Sequence, residues 1–193
     1  LASTGWSVKI MGNNVASGDD ATMYTSDCYS GILGAAQMGA KVINCSWGSF
    51  GGGGQQNIIN AVYNNYGCVV IASAGNGGDD GNTNFDNHFP SGLNNVISVS
   101  AIGPGDNFSC WATAGTTVDL CAPGEAIVTT NLNGSYASNM WGTSFAAPIT
   151  SGAAALLWSR FPNAENSWIE DRIINNTDEF SDMTGSCQGN SLE

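Results

Sequence analysis

Residues 57–73, NIINAVYNNYGCVVIAS, join a segment of helical periodicity to a continuous apolar run through a single glycine. Apolar residues recur at helical spacing over residues 57–66, and Gly67 is the residue type that most often ends a helix. The run at residues 68–73 is apolar on both faces, which is typical of a strand buried within a parallel sheet. This helix–glycine–strand unit predicts an α/β fold.

The same alternation continues along the chain. Upstream, the pattern predicts strands at residues 8–11 and 41–45, with a helix between them that is capped by Ser26 or Asp27 and runs to about Met38. Downstream, strands are predicted at residues 96–101, 118–121 and 126–130, and helices at residues 144–160 and 167–175; turns rich in Gly, Asn and Asp fall at residues 51–54 and 75–87. We therefore predict a mostly parallel sheet flanked by helices in one domain, residues 1–193.

The charge balance bears on the partners of the chain. Four Lys and Arg residues stand against sixteen Asp and Glu, giving a formal charge of -12 over 193 residues. A basic face that neutralises phosphates cannot be built from this composition, so we expect neither nucleic acid nor an anionic membrane as a partner. The apolar runs are also too short to span a bilayer, and the scarcity of charge favours a secreted protein.

The six cysteines divide by context. Cys45 and Cys68 lie in apolar runs and are interpreted as buried thiols, whereas Cys28, Cys110 and Cys187 lie in polar segments and are the better disulfide candidates. No C-x-x-C pair occurs and the chain has one histidine, so we predict no zinc site.

The segment GTSFAAP, residues 142–148, lies where a loop enters the predicted helix at residues 144–160. Ser144 would stand at the helix N-terminus, where unpaired N–H groups and the positive end of the dipole stabilise an oxyanion. The alternative is a serine that only caps the helix. A second segment, ASAGNG at residues 72–77, follows the most apolar strand and places Asn76 at the carboxyl edge of the sheet, where ligands gather. Its alternative is an Asn in a glycine-rich turn.

These two segments, with VINCSWG at residues 42–48 before them, resemble the nucleophile, oxyanion-hole and substrate-cleft motifs of the subtilisin-like serine proteases, or subtilases. The resemblance covers almost the whole chain and implies a three-layer subtilisin-like fold, here incomplete at both ends. It implies that Ser144 is the nucleophile of an acyl-enzyme mechanism and that Asn76 donates to the oxyanion. It further implies a substrate-binding set composed of Ser46, Trp47, Gly48, Ser73, Ala74, Gly75 and Thr143, with His88 and Phe89 at the far end of the specificity pocket.

One part of the family pattern is missing from the sequence. The family places an Asp on an early strand and a His in an HGTH-like helix ahead of the Ser, and neither motif occurs in these 193 residues. We therefore expect an upstream segment or a companion chain to supply both residues, and we expect this chain alone to be inactive. The competing hypothesis is a module that binds peptides but has lost catalysis.

Other catalytic arrangements fit less well. His88 with Asp106 or Asp119 and Ser144 follows the chymotrypsin order, but that scaffold is all-β, and an α/β-hydrolase requires a histidine after the serine. No cofactor is expected in catalysis. Asp79, Asp80 and Asp86 are interpreted as a solvated acidic loop, with structural calcium as the alternative.

Overall fold

The computed structural model describes residues 8–17, 22–23, 25–50, 55–77, 88–131 and 134–179. Within these ranges the strands are β1 (Ala16–Ser17), β2 (Thr22–Met23), β3 (Val42–Cys45), β4 (Ser49–Phe50), β5 (Val69–Ser73), β6 (His88–Phe89), β7 (Val96–Ile102), β8 (Leu120–Pro123), β9 (Ile127–Thr130) and β10 (Tyr136–Met140). The helices are α1 (Thr25–Gln37), α2 (Gln56–Tyr66), α3 (Thr143–Arg160) and α4 (Asn166–Ile174).

The central sheet is parallel and has the strand order β3-β5-β7-β8. Because all four strands run the same way, the loops after β3, β5 and β8 leave the sheet at one edge. Short antiparallel pairs join β4 to β6 and β9 to β10. The segments predicted to carry chemistry therefore meet at the carboxyl edge.

Strand β5 shows how the sequence builds three layers. Val69 and Ile71 pack into a core with α3 and α4, whereas Val70 and Ala72 pack into a second core with α1 and α2. Successive side chains of a strand point to opposite faces, so a strand that is apolar at every position is buried on both sides. The predicted α/β architecture, a mostly parallel sheet between helices, is confirmed.

The predicted helix boundaries agree with the structure to within a residue or two. Gly67 ends α2 with a φ of 61°, and the N–H of Cys68 donates to the Val62 carbonyl at 3.2 Å. A glycine adopts this left-handed conformation without a steric penalty. The helix that carries Ser144 begins at Thr143, and Ser26 and Asp27 lie in the first turn of α1 rather than at its cap.

One of the predicted strands is absent. Residues 8–11 form no strand, and Ile10 is 78% exposed, because no part of the described chain forms a ladder with them. Helix α3 contacts all four strands of the central sheet, and within the described part of the chain its Leu156 side chain is 55% exposed. In the same ranges no helix combines the length and apolar character needed to cross a membrane.

The cysteine prediction was right in most positions and wrong in one. Cys45 and Cys68 are buried thiols and Cys110 is disulfide-bonded, as expected. Cys28, however, is a buried thiol, because α1 turns it toward the core rather than toward a loop. Burial raises the pKa of Cys45 to about 12, so this thiol stays protonated. Cys187 lies outside the described residues, as do Asp79, Asp80 and Asp86 and the predicted turn at residues 51–54.

Candidate active site

Ser144 lies in the first turn of α3, where the helix meets the carboxyl edge of the sheet. Contacts from consecutive residues fix this position: Gly142 N donates to Gly124 O at 3.0 Å, Thr143 N donates to Asn76 Oδ1 at 3.0 Å, and Ser144 Oγ donates to Ser46 O at 3.3 Å. These acceptors lie after β8, β5 and β3, respectively. The start of α3 is therefore held by three separate loops, and the predicted residues Ser46, Asn76 and Ser144 come together.

A proline inside α3 explains a second contact at this position. An α-helix pairs each N–H with the carbonyl four residues earlier, so the missing N–H of Pro148 leaves the Ser144 carbonyl without its helical donor. The Ser46 hydroxyl donates to that carbonyl at 2.8 Å. Ser46 thus replaces the hydrogen bond that Pro148 cannot make.

The orientation of the Asn76 side chain follows from its partners. Its Oδ1 accepts from the backbone N–H of Thr143 and from the Thr143 hydroxyl, both at 3.0 Å. Because a backbone N–H can only donate, the carbonyl end of the amide must face Thr143. The Nδ2 donors therefore point away from Thr143. Thr143 itself is buried, and its hydroxyl also accepts from Gly75 N at 3.2 Å.

Asn76 Nδ2, Ser144 N and the Phe145 ring all lie near one point next to Gly142. A Cβ added at Gly142 would lie 3.5 Å from Asn76 Nδ2 and 3.7 Å from Ser144 N. Gly142 has a φ of 140°, a conformation that side chains with a Cβ rarely adopt. Donors in the first helical turn have no acceptor within the helix. Two N–H donors, Asn76 Nδ2 and Ser144 N, thus lie within 3.7 Å of one point next to Gly142, and paired donors can stabilise an oxyanion.

The two predicted substrate-binding segments both contact the start of α3: Ser46 O accepts from Ser144 Oγ, and Gly75 N donates to Thr143 Oγ1. Ser46, Trp47 and Gly48 continue from β3, and the Trp47 ring packs edge-on against Tyr29 at 5.8 Å between centroids. In the second segment, Ser73 and Ala74 are buried, and Gly75 has a φ of 107°. The backbone of the second segment is tied to its neighbours: Ala74 N donates to Val99 O at 2.9 Å and Thr113 N donates to Gly75 O at 3.0 Å.

His88 lies between these two segments. Its ring abuts Gly48, and its Nε2 would lie 3.3 Å from a Cβ at Gly75. The Nδ1 atom is 2.9 Å from the hydroxyl of Ser91. Burial lowers the pKa of His88 below its usual value, so the imidazole is neutral near neutral pH.

The two acidic candidates for a triad with His88 have other surroundings. The Asp119 carboxylate accepts from Ser98 N at 2.8 Å, where it fixes the start of β7. Asp106 is exposed in a turn, with a φ of 57°. The parallel α/β architecture also differs from the all-β scaffold on which the chymotrypsin arrangement occurs.

Sequence reasoning missed a set of side chains next to Ser144. Trp141 is 47% exposed and packs against Trp111 at 5.0 Å between ring centroids. The indole N–H of Trp111 donates to the Glu125 carboxylate at 2.7 Å. The position of Trp141 directly before the GTS segment was a usable signal, but nothing in the sequence links Trp111 to Glu125.

Comparisons with known proteins place the chain in a family. The sequence model of the subtilase family matches residues 3–190. Thermitase from Thermoactinomyces vulgaris is 40% identical over 153 residues, covering 79% of this chain and 52% of its own length. Subtilisin DY from Bacillus licheniformis is 35% identical over 155 residues, covering 79% of this chain and 55% of its own.

A solved structure gives the same result for the fold. A protease from Pseudoalteromonas arctica superimposes with a TM-score of 0.74 at 29% identity, covering 83% of this chain and 54% of that protein. The chain thus spans about half the length of the relatives it matches.

Proposed function

Because this chain belongs to the subtilase family, we propose that it carries the nucleophile and the oxyanion hole of a secreted serine endopeptidase. The observation that carries the proposal is that two donors, Asn76 Nδ2 and Ser144 N, lie 3.5 and 3.7 Å from the point that a Cβ of Gly142 would occupy. Such donors are useful when negative charge develops on a carbonyl oxygen during acyl transfer.

In the proposed mechanism, the Ser144 hydroxyl attacks the carbonyl carbon of a peptide bond. Its proton passes to a histidine, and the tetrahedral oxyanion lies between Asn76 Nδ2 and Ser144 N. Collapse of this intermediate breaks the C–N bond, and the histidine returns the proton to the leaving amine. Water then takes the place of the amine: it gives a proton to the histidine and attacks the acyl-enzyme, and the steps above run in reverse order until Ser144 is released.

The histidine and its aspartate are proposed to come from an upstream segment of the complete protein or from a companion chain. Two observations support this. The sequence has no HGTH-like segment, and its single histidine, His88, lies between Gly48 and Gly75 with its Nδ1 beside Ser91. A serine hydroxyl without a base is a weak nucleophile, so the chain alone should be nearly inactive.

The proposed substrate is an extended segment of a protein or peptide. It would add as a strand beside residues 46–48, with its side chains directed toward Ser73, Ala74 and Gly75. No cofactor takes part in this mechanism. We also propose a structural calcium ion for the complete protein. Among the described residues, no group of three His, Cys, Asp or Glu side chains is suited to hold a metal.

The test is peptide hydrolysis by the complete protein, wild type against Ser144→Ala. We expect an initial burst of alcohol released from an activated ester, equal in amount to the enzyme, and loss of both burst and turnover in the variant. A complete protein that binds peptides in the cleft but shows neither burst nor turnover would be a binding module, and the proposed function would be wrong.

A further inference from the structure

The imidazole of His88 occupies the space between two backbone segments. A Cβ at Gly48 would overlap the ring, and a Cβ at Gly75 would lie 3.3 Å from its Nε2 and 3.0 Å from Thr113 Oγ1. Contacts below 3.4 Å are closer than those most Cβ atoms make. Gly48 must therefore lack a Cβ for the ring to fit where it does, and a Cβ at Gly75 would be tight against the ring.

Several contacts hold the ring in this place. His88 lies in β6, opposite Phe50 of β4 in the strand register. Its Nδ1 is 2.9 Å from Ser91 Oγ, whose hydroxyl also lies 3.1 Å from the His88 carbonyl. The side chain is 92% buried, since its relative exposure is 8%. A ring that is packed and hydrogen-bonded in this way does not move aside at low cost.

The location of the ring matters because of what the two segments are proposed to do. In the proposed function, residues 46–48 bind the substrate backbone and residues 73–75 wall the pocket for the side chain of the residue whose carbonyl is attacked. The His88 ring abuts Gly48 of the first segment and lies close to Gly75 of the second. The ring therefore stands where that substrate side chain would enter.

We propose that His88 fills the primary side-chain pocket from within, so that the enzyme cleaves after residues with small side chains, such as alanine, glycine and serine. This inference rests on the proposed function. A larger side chain would have to displace a packed ring, and overpacking a site of fixed shape is unfavourable. Burial lowers the pKa of His88, so the ring is neutral and supplies volume rather than a positive charge for acidic substrates.

The experiment uses the complete protein and a series of peptides that differ only at the residue before the scissile bond, which is Ala, Leu or Phe. We expect wild type to favour Ala over Phe by at least about tenfold in kcat/KM, since one methylene in a shaped pocket is worth about 10–200-fold. His88→Gly, or His88→Ala as a second variant, should shift the Phe to Ala ratio by at least about tenfold toward Phe.

The matched control is His88→Phe, which keeps a ring in the pocket and should retain the preference for Ala. A wild-type enzyme that cleaves after Phe as well as after Ala would overturn the proposal. So would an unchanged ratio in a folded His88→Gly or His88→Ala protein, with folding verified by near-ultraviolet circular dichroism. If neither small variant folds, the wild-type ratio alone decides.

A binding measurement separates this inference from the proposed function. Peptides that end in Ala or Phe at the same position can be titrated by calorimetry with no turnover. Absence of hydrolysis in wild type and all variants would refute the proposed function. A binding preference for the Ala peptide that His88→Gly abolishes would still establish the filled pocket, and equal binding of both peptides to wild type would refute it.

Discussion

Ser46 and Ser144 form reciprocal hydrogen bonds across 98 residues of sequence: the Ser46 hydroxyl donates to the Ser144 carbonyl at 2.8 Å, and the Ser144 hydroxyl donates to the Ser46 carbonyl at 3.3 Å. The first bond compensates for Pro148, which has no N–H to offer the same carbonyl. The position of the proposed nucleophile thus depends on the residue that follows β3.

This relationship predicts a measurable coupling between Ser46 and Pro148. Ser46→Ala should lower the free energy of unfolding of the complete protein by about 1–3 kcal/mol, because it leaves a partly buried carbonyl without a donor. In a Pro148→Ala background the helix regains its own N–H, so the same substitution should cost less. Urea denaturation of the four proteins gives the coupling free energy. Strictly additive effects would show that the two residues do not share this carbonyl.

The oxyanion assignment predicts that Asn76→Ala lowers kcat with little change in KM, because the amide is aimed at charge present in the transition state. Subtilisin itself is the known example, in which loss of one such donor costs about 10²–10³ in kcat, and we adopt that figure for this subtilase rather than derive it. Steady-state kinetics on a peptide substrate provide the measurement. An unchanged kcat would remove Asn76 from the mechanism.

Thr143 is predicted to act by positioning Asn76. Thr143→Val removes the hydroxyl that donates to Asn76 Oδ1 and accepts from Gly75 N, while it keeps the volume of a buried side chain. We expect kcat to fall by about tenfold, corresponding to about 1.4 kcal/mol, with KM nearly constant. Thr143→Ser keeps the hydroxyl and should restore most of kcat. Equal losses in both variants would indicate a packing effect instead.

The contact between α2 and α4 predicts a pH dependence of stability. The Tyr63 hydroxyl donates to the Glu170 carboxylate at 2.5 Å. Burial raises the pKa of Glu170 above its ordinary value of 4.5, the Tyr63 hydrogen bond partly opposes this, and the charge of Asp119 adds to it. The folded state therefore holds this proton more tightly than the unfolded state. The stabilisation that comes from this bound proton is complete below pH 4.5 and is lost as the pH rises through the raised pKa of Glu170.

Glu170→Gln should remove that dependence. The stability of the variant relative to wild type should increase as the pH rises above 4.5 and then level off. Tyr63→Phe is the matched control: without the hydrogen bond that opposes burial, the Glu170 pKa rises further and the loss of stability with pH becomes larger. Denaturation midpoints of wild type and both variants, measured in steps above pH 4.5, test this. A difference in stability between Glu170→Gln and wild type that does not change with pH would contradict the prediction.

The sequence predicted the layers well because strand β5 and its preceding helix carry local signals. An uninterrupted apolar run and a glycine that ends α2 need no knowledge of distant residues. The motif segments likewise located Asn76 and Ser144. The resemblance placed His88 at the far end of the specificity pocket, but the sequence did not predict that its ring abuts Gly48, nor that Trp111 pairs with Glu125, because these contacts join segments that are distant along the chain.

The two failures have related causes. Residues 8–11 have the composition of a strand, but a strand needs a neighbour, which composition does not reveal. Cys28 lies among polar residues in the sequence. A helix turns adjacent residues to different faces, so the polarity of these neighbours gave no indication that Cys28 is buried.

We propose that Ser144 is a nucleophile whose base lies outside these 193 residues, and the rate at which a fluorophosphonate labels Ser144 reports on both points. The adduct is located by mass spectrometry of the peptide containing Ser144, in the complete protein and in the 193-residue chain alone. We predict rapid modification of Ser144 in the complete protein and none on the same time scale in the chain alone. Equally rapid labelling of the chain alone, or no adduct at Ser144 in the complete protein, would contradict the account.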